Sequence, residues 1–186
     1  MTKKILLAVV IIMLGVAILS GCSSQPNGSA NNTSNTGTPA GDTSRAVAPD
    51  FSWKDTSGNV VKLSELKGKV ILIDFWATWC GPCKMTIPHV EALYERYKDN
   101  KNVVVLGISV DDPSTAQSVP AFIKQNGMQY LVVSDSNGSV SSLYGVSSIP
   151  RFFIIDKNGR IAKTITGYDP NMEEVIGTEI NKLLQE

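Results

Sequence analysis

The chain has no charge excess of either sign, a single histidine, three cysteines and no apolar run long enough to cross a bilayer comfortably. Lys and Arg number 17, as do Asp and Glu; removing Lys3 and Lys4 with a leader leaves 15 against 17, a formal charge of −2. That balance excludes a nucleic-acid polycation and a trap for acidic substrates. The one long apolar stretch, Ile5 to Leu19, has 15 residues, against the ~20 that a membrane helix needs. A structural zinc centre takes about four ligands, and one histidine, His89, with so few cysteines does not supply them. No metal site is expected, and there are no internal repeats. The 186 residues suit one domain plus extras, and 42% of them are hydrophobic, enough for a core.

What is present begins with a leader. Lys3 and Lys4 form a basic n-region, Ile5–Leu19 an apolar h-region, and the small residues Ser20 and Gly21 precede Cys22. Leu19-Ser20-Gly21-Cys22 resembles the lipobox of bacterial lipoproteins. The resemblance implies that residues 1–21 are a signal peptide, removed as Cys22 is lipidated and acylated. Two or three acyl chains meet the requirement for stable anchoring. From Ser23 to Ala48 the chain is nearly all Ser, Asn, Gly, Thr, Pro and Ala, with Asp42 and Arg45 its only charges. Such a segment buries too little apolar surface to offset its ordering entropy. Residues 22–48 are therefore read as lipidated cysteine plus tether, spanning roughly 25–30 Å.

A domain is expected over 49–186. Phe51 and Trp53 alternate with polar residues, and Ser57-Gly58-Asn59 turns the chain into Val60–Leu63, a β-hairpin. Ser64–Lys67 reads as a helical turn and Val70–Trp76 as a buried strand. A helix is predicted over Gly81–Tyr97, with Pro82 in its first turn, a kink at Pro88, and Val90, Leu93, Tyr94 and Tyr97 as its core stripe. His89 is expected to face solvent. Val103–Val110 is a second core strand, ended by Asp111-Asp112-Pro113, a pair of carboxylates read as a solvated loop. A helix capped by Ser118 and stopped at Gly127 follows, in which Pro120, Phe122 and Ile123 serve as capping and core residues. Then come a strand over Tyr130–Ser134 and a short helix over Ser139–Tyr144. Asp156-Lys157-Asn158-Gly159 joins Arg151–Ile155 to Arg160–Thr166 as an Asn-Gly hairpin. The last helix spans Pro170–Leu184, with Met172, Val175, Ile176, Ile180, Leu183 and Leu184 on its apolar face. This order gives an α/β fold, a mixed sheet with helices on both faces.

The chemistry gathers at Trp79-Cys80-Gly81-Pro82-Cys83, where a strand gives way to a helix. A thiol reacts as its thiolate, and free N–H groups at a helix start favour negative charge. Cys80 is therefore the attacking thiol. Cys83, one turn further in, is better shielded and resolves the mixed disulfide. Asp74 lies among Ile71, Leu72, Ile73, Phe75 and Trp76. Burial there should raise its pKa, so that near neutral pH it could take the proton from Cys83. The alternative is a carboxylate at a sheet edge, bonded to backbone or water.

Asp74-Phe75-Trp76-Ala77-Thr78-Trp79-Cys80-Gly81-Pro82-Cys83-Lys84 resembles the thioredoxin active-site segment. The leader, Leu63-Ser64-Glu65-Leu66-Lys67-Gly68-Lys69-Val70 and Gly107-Ile108-Ser109-Val110-Asp111 are similar to the TlpA/ResA branch of membrane-anchored, extracytoplasmic thiol-disulfide oxidoreductases. The resemblance implies a thioredoxin-like fold with an N-terminal β-hairpin and a central αβ insertion. It makes Pro150, in Tyr144-Gly145-Val146-Ser147-Ser148-Ile149-Pro150, a cis-proline, with Ile149 presenting its backbone to an extended substrate. Trp79 becomes the aromatic that shields the pair, and Gly81 and Pro82 complete the substrate-binding set. The redox group is the Cys80–Cys83 disulfide and no cofactor is implied. Implied partners are protein thiols and disulfides, including the haem-attachment thiols of apocytochromes c, and an integral membrane thiol carrier of the CcdA/DsbD kind. The expected place is the outer face of a plasma membrane or a periplasm. Two departures stand out. Some haem-maturation relatives carry an acidic residue where Gly81-Pro82 lies, and cytosolic thioredoxin has a lysine on the strand Val104–Ile108 that this chain lacks. Gly-Pro favours a reductase over a thiol oxidase or isomerase. A peroxidase would use one low-pKa cysteine beside a hydroxyl and an arginine, for which Thr78 and Arg151 are candidates, and a structural staple would close too short a loop to stabilise much.

Overall fold

The computed structural model describes residues 44–55 and 57–186. The leader, Cys22 and the tether up to residue 43 lie outside the described residues. Two strands, β1 (Ser52–Lys54) and β2 (Val60–Lys62), pair antiparallel as a sheet of their own. The Asp55 carboxylate organises their turn, accepting from the amides of Ser57 and Asn59. A 3₁₀ turn, Leu63–Leu66, leads into β3 (Val70–Trp76). Then follow α1 (Gly81–Tyr97), β4 (Val103–Ser109), α2 (Val119–Gln125), β5 (Leu131–Ser134), α3 (Ser139–Leu143), β6 (Arg151–Ile155), β7 (Ile161–Thr166) and α4 (Met172–Gln185).

The five long strands form one sheet in the order β5-β4-β3-β6-β7. β3 runs parallel to β4, and β4 to β5, whereas β6 is antiparallel to both β3 and β7. The sheet is therefore mixed, as expected, with α2 and β5 extending one edge. β3 is buried at all seven positions, and so reads as an unbroken apolar run rather than an alternating one. Val70, Leu72 and Trp76 face a core made with α1 and α4. Ile71, Ile73 and Phe75 face a second core with Leu63 and Tyr144. Helices thus cover both faces, and the middle strand delivers the chain to the site.

Several local expectations needed correction. Val175 is 37% exposed; on a helical projection it lies off the arc shared by Met172, Ile176, Ile180 and Leu183. Tyr94 is only half-buried at the edge of the α1 stripe; Pro88 lies inside α1, as expected. Ser118 makes no capping bond, because a 3₁₀ turn over Ala116–Ser118 already leads into α2. His89 is half-buried, its ring 5.8 Å from that of Tyr168 and its Nδ1 3.9 Å from Glu173. The fold also starts earlier than residue 49. Arg45 bonds the carboxylates of Asp156 and Glu186, Val47 bridges to Arg160, and Ala48 N–H donates to the Gly159 carbonyl. Arg45, counted in the sequence only as one of two charges in the tether, has partners more than a hundred residues on.

Candidate active site

Cys80 is the N-cap of α1 and Cys83 sits one turn in, with a disulfide between them. The Cys83 amide donates to Cys80 Sγ at 3.1 Å, so the helix start that would stabilise a thiolate is aimed at that sulfur. Cys80 is 5% exposed and Cys83 0%. Both cysteines are largely enclosed, and only Cys80 retains any exposed surface. Gly81 and Pro82 lie on the surface, and Pro82 fills the first turn, where no N–H is needed. Thr86, buried one turn on, donates its hydroxyl to the Cys83 carbonyl at 2.8 Å.

Trp79, one residue before Cys80, is 59% exposed. It lines a shallow groove of about 390 Å³ with Val110, Ser141, Val146, Ser147, Ser148 and Ile149. The Ile149–Pro150 bond is cis, Ile149 is half-buried and Pro150 buried. Arg151 pairs with Phe75 at the end of β3, which sets Ile149 and Pro150 beside the strand end that carries Trp79 and Cys80. The structure thus brings Cys80, Trp79 and Ile149 to one rim, with Cys83 and Asp74 beneath it.

Asp74 is fully buried, and neither carboxyl oxygen has a hydrogen-bond partner. Burial pushes its pKa up to about 8. The sheet-edge alternative is therefore ruled out: Asp74 stands on the central strand, between Gly107 of β4 and Phe152 of β6. It faces the α1 side with Leu72 and Trp76, in whose core Cys83 packs. Gly107 lies opposite Asp74 on the neighbouring strand, which carries no lysine. A Cβ there would meet Trp76 Nε1 and Tyr130 Cε2 at 3.0 Å each. The glycine lets an indole and a phenol close over the strand beside Asp74, and burial together with Asp74 and Glu91 raises the Tyr130 pKa. Among the described residues no cation offsets the desolvation of Asp74, whose pKa shift has burial as its cause.

Sequence reading missed two residues here. Asp111, read as part of a solvated loop, is fully buried and accepts from the Thr78 amide and from the hydroxyls of Thr78 and Ser109. Thr86 gave no signal beyond a polar residue on the inner face of α1. The two peroxidase candidates are engaged elsewhere. The Thr78 hydroxyl donates to Asp111, and Arg151 bonds Thr166 and lies 5.5 Å over the Phe153 ring. Among the described residues no three His, Cys, Asp or Glu side chains converge as metal ligands. The reactive group is the cysteine pair itself, able to exchange two electrons with another disulfide.

The Redoxin family model matches residues 39–180. The chain is 36% identical over 120 residues to the thiol-disulfide oxidoreductase ResA of Bacillus thuringiensis strain Al Hakam, covering 64% of this chain and 68% of that one. Among solved structures, one from Chlorobium tepidum assigned as the thiol:disulfide interchange protein DsbE superposes with a TM-score of 0.67 at 33% identity, over 75% of this chain and 96% of its own. StoA from Bacillus subtilis gives 0.58 at 28%, over 69% and 97%. The helix-capping cysteine pair, the mixed five-stranded sheet that presents it and these matches together establish that the chain belongs to the Redoxin family, as a ResA-like thiol-disulfide oxidoreductase.

Proposed function

We propose that this oxidoreductase works as a protein-disulfide reductase on the outer side of a bacterial membrane, held there through lipidated Cys22. The carrying observation is the asymmetry of the pair: Cys80 keeps a small exposed fraction at the start of α1, whereas Cys83 is fully buried in the core that Asp74 also faces. In the reduced protein the Cys80 thiolate attacks a substrate disulfide. A mixed disulfide forms and one substrate sulfur leaves as thiolate. Asp74 in its carboxylate form accepts the Cys83 proton, and the Cys83 thiolate attacks Cys80 Sγ. The second substrate sulfur departs, two electrons have passed to the substrate, and the pair is left oxidised. Trp79, Gly81, Pro82, Ile149 and Pro150 hold the extended substrate along the groove, with no charged side chain among its lining residues. Gly-Pro between the cysteines and the resemblance to the TlpA/ResA branch support the reducing direction. Substrates of this kind include apocytochrome c thiols oxidised before haem attachment. An integral membrane thiol carrier of the CcdA/DsbD kind would return the electrons.

The deciding measurement is the redox potential of the Cys80/Cys83 pair, taken by equilibration with glutathione. A reductase has a potential near that of thioredoxin, about −270 mV, whereas one near −120 mV marks a DsbA-type oxidant and would reverse the assigned direction. Cys83→Ser, which cannot resolve the mixed disulfide, is expected to trap substrates on Cys80 at the cell surface. An empty trap would count against partner exchange.

A further inference from the structure

Asp111 lies two residues past β4 and its side chain is fully buried. The Val110 amide donates to the Trp76 carbonyl at 2.8 Å, which keeps the ends of β3 and β4 joined there. Three donors converge on the carboxylate. The Thr78 amide reaches Oδ2 at 2.9 Å, the Thr78 hydroxyl Oδ1 at 2.5 Å, and the Ser109 hydroxyl Oδ2 at 2.8 Å. Among the described residues none of these side-chain partners is a cation. A neutral acceptor, such as an Asn amide oxygen, would serve a purely structural staple. A buried carboxylate without a counter-ion is the costlier choice, and such groups concentrate where charge serves function. Thr78 precedes Cys80 by two residues, a chain length of roughly 7 Å. The carboxylate is thus on the order of 10 Å from the Cys80 sulfur, close enough for like charges to interact through protein.

The geometry points to Asp111 as a positioning residue that holds the turn through Thr78 into Trp79–Cys80 and whose negative charge opposes the Cys80 thiolate. The inference rests on the exchange reading above. The start of α1 favours the thiolate, Asp111 disfavours it, and the balance sets the pair. Holding back the thiolate withdraws stabilisation from the reduced form, which makes the pair more reducing. Asp111 is thereby a device that keeps a helix-capping cysteine from becoming a strong oxidant.

The test uses the full chain, reduced, with alkylation of Cys80 followed against pH and the pair equilibrated with glutathione. Asp111→Asn keeps the size and an acceptor oxygen and removes the charge. Its Cys80 ionisation midpoint is expected about one pH unit lower, and its potential less negative. Thr78→Val, which keeps the charge, is expected to slow exchange without lowering that midpoint. An unmoved midpoint in a folded Asp111→Asn protein overturns the proposal. If that variant does not fold, Asp111→Ser reads the same quantities; failure of both to fold assigns the carboxylate to the fold alone and overturns it equally. Wild-type protein that reduces no disulfide, such as those of insulin, would instead sink the exchange reading.

Discussion

Asp74 is the residue whose environment makes the strongest quantitative demand. An ordinary Asp loses its proton near 3.9, whereas burial holds this one to about 8. The native state therefore binds a proton that the unfolded state has released across that window, and stability declines as pH rises from about 4 to about 8. Asp74→Asn abolishes that slope. The variant is expected to match wild type near pH 4 and to exceed it by on the order of several kcal/mol at pH 8 and above, as read by urea denaturation at each pH. The same substitution is expected to slow release of substrate from Cys80 at neutral pH more than the initial attack; equal slowing of both steps would remove Asp74 from the role of base for Cys83. The position was legible in the sequence as a carboxylate inside the apolar run Val70–Trp76, and the structure decided for the core over a sheet edge by placing that run in the middle of the sheet. Asp111 was not, because an acidic pair at a strand end looks solvated until the chain brings Thr78 back over one member. Asp112, its neighbour, does what the sequence suggested: it is exposed and accepts from the amides of Ser114 and Thr115. One of two adjacent carboxylates faces in and the other out, and only the tertiary partner decides which.

Among the elements, β4 shows how a strand's composition encodes its neighbours. Its single gap, Gly107, is where Trp76 and Tyr130 approach to 3.0 Å of a hypothetical Cβ, and Val132 Cγ2 to 3.2 Å. Gly107→Ala is expected to destabilise the protein by about 1–3 kcal/mol through overpacking, with a lower urea midpoint, and to disturb the indole next to the pair. Little or no loss of stability would mean that Tyr130 can swing aside. The long elements were readable because their signals are strong. β3 and α1 fall at their predicted limits, as an unbroken apolar run and a Cys-Gly-Pro start dictate. Short elements were read less well. Ser118 looked like a cap because Pro120 falls in the first turn of the helix that follows, yet Ser118 ends a 3₁₀ turn that runs into α2 and the capping bond is unmade. The β1–β2 hairpin was foreseen, but its three-residue strands pair only with each other, a separation that alternation alone does not reveal.

For the whole molecule, the proposed function raises the question of how a reducing pair would be kept where disulfides are the default. The folded part is fastened at its entry by Arg45, whose guanidinium meets Asp156, 1% exposed, and Glu186. Arg45→Ala is expected to cost about 1–3 kcal/mol, less than the loss of a fully enclosed ion pair, because Asp156 keeps its bonds from the amides of Asn158 and Arg160. That fastening fixes where the chain leaves the domain, and the segment before it composes as a tether. If the tether ends in a lipidated Cys22, anchoring and chemistry are expected to be separable, since the hydrogen bonds that position the pair come from the start of α1 itself. Cys22→Ala should then retain the precursor's leader, incorporate no labelled palmitate and shift in electrophoretic mobility, while the purified protein reduces insulin at the wild-type rate. Equal palmitate incorporation by the variant would exclude Cys22 as the acceptor. A parallel loss of insulin reduction would mean that the N-terminus serves the active site directly. On the proposed reading, the unanchored domain would keep its chemistry but lose the local concentration that a tether of roughly 25–30 Å would supply beside a membrane-bound electron donor. In cells the pair is therefore expected to accumulate in the oxidised form once Cys22 is replaced, a state that thiol alkylation of intact cells reads directly.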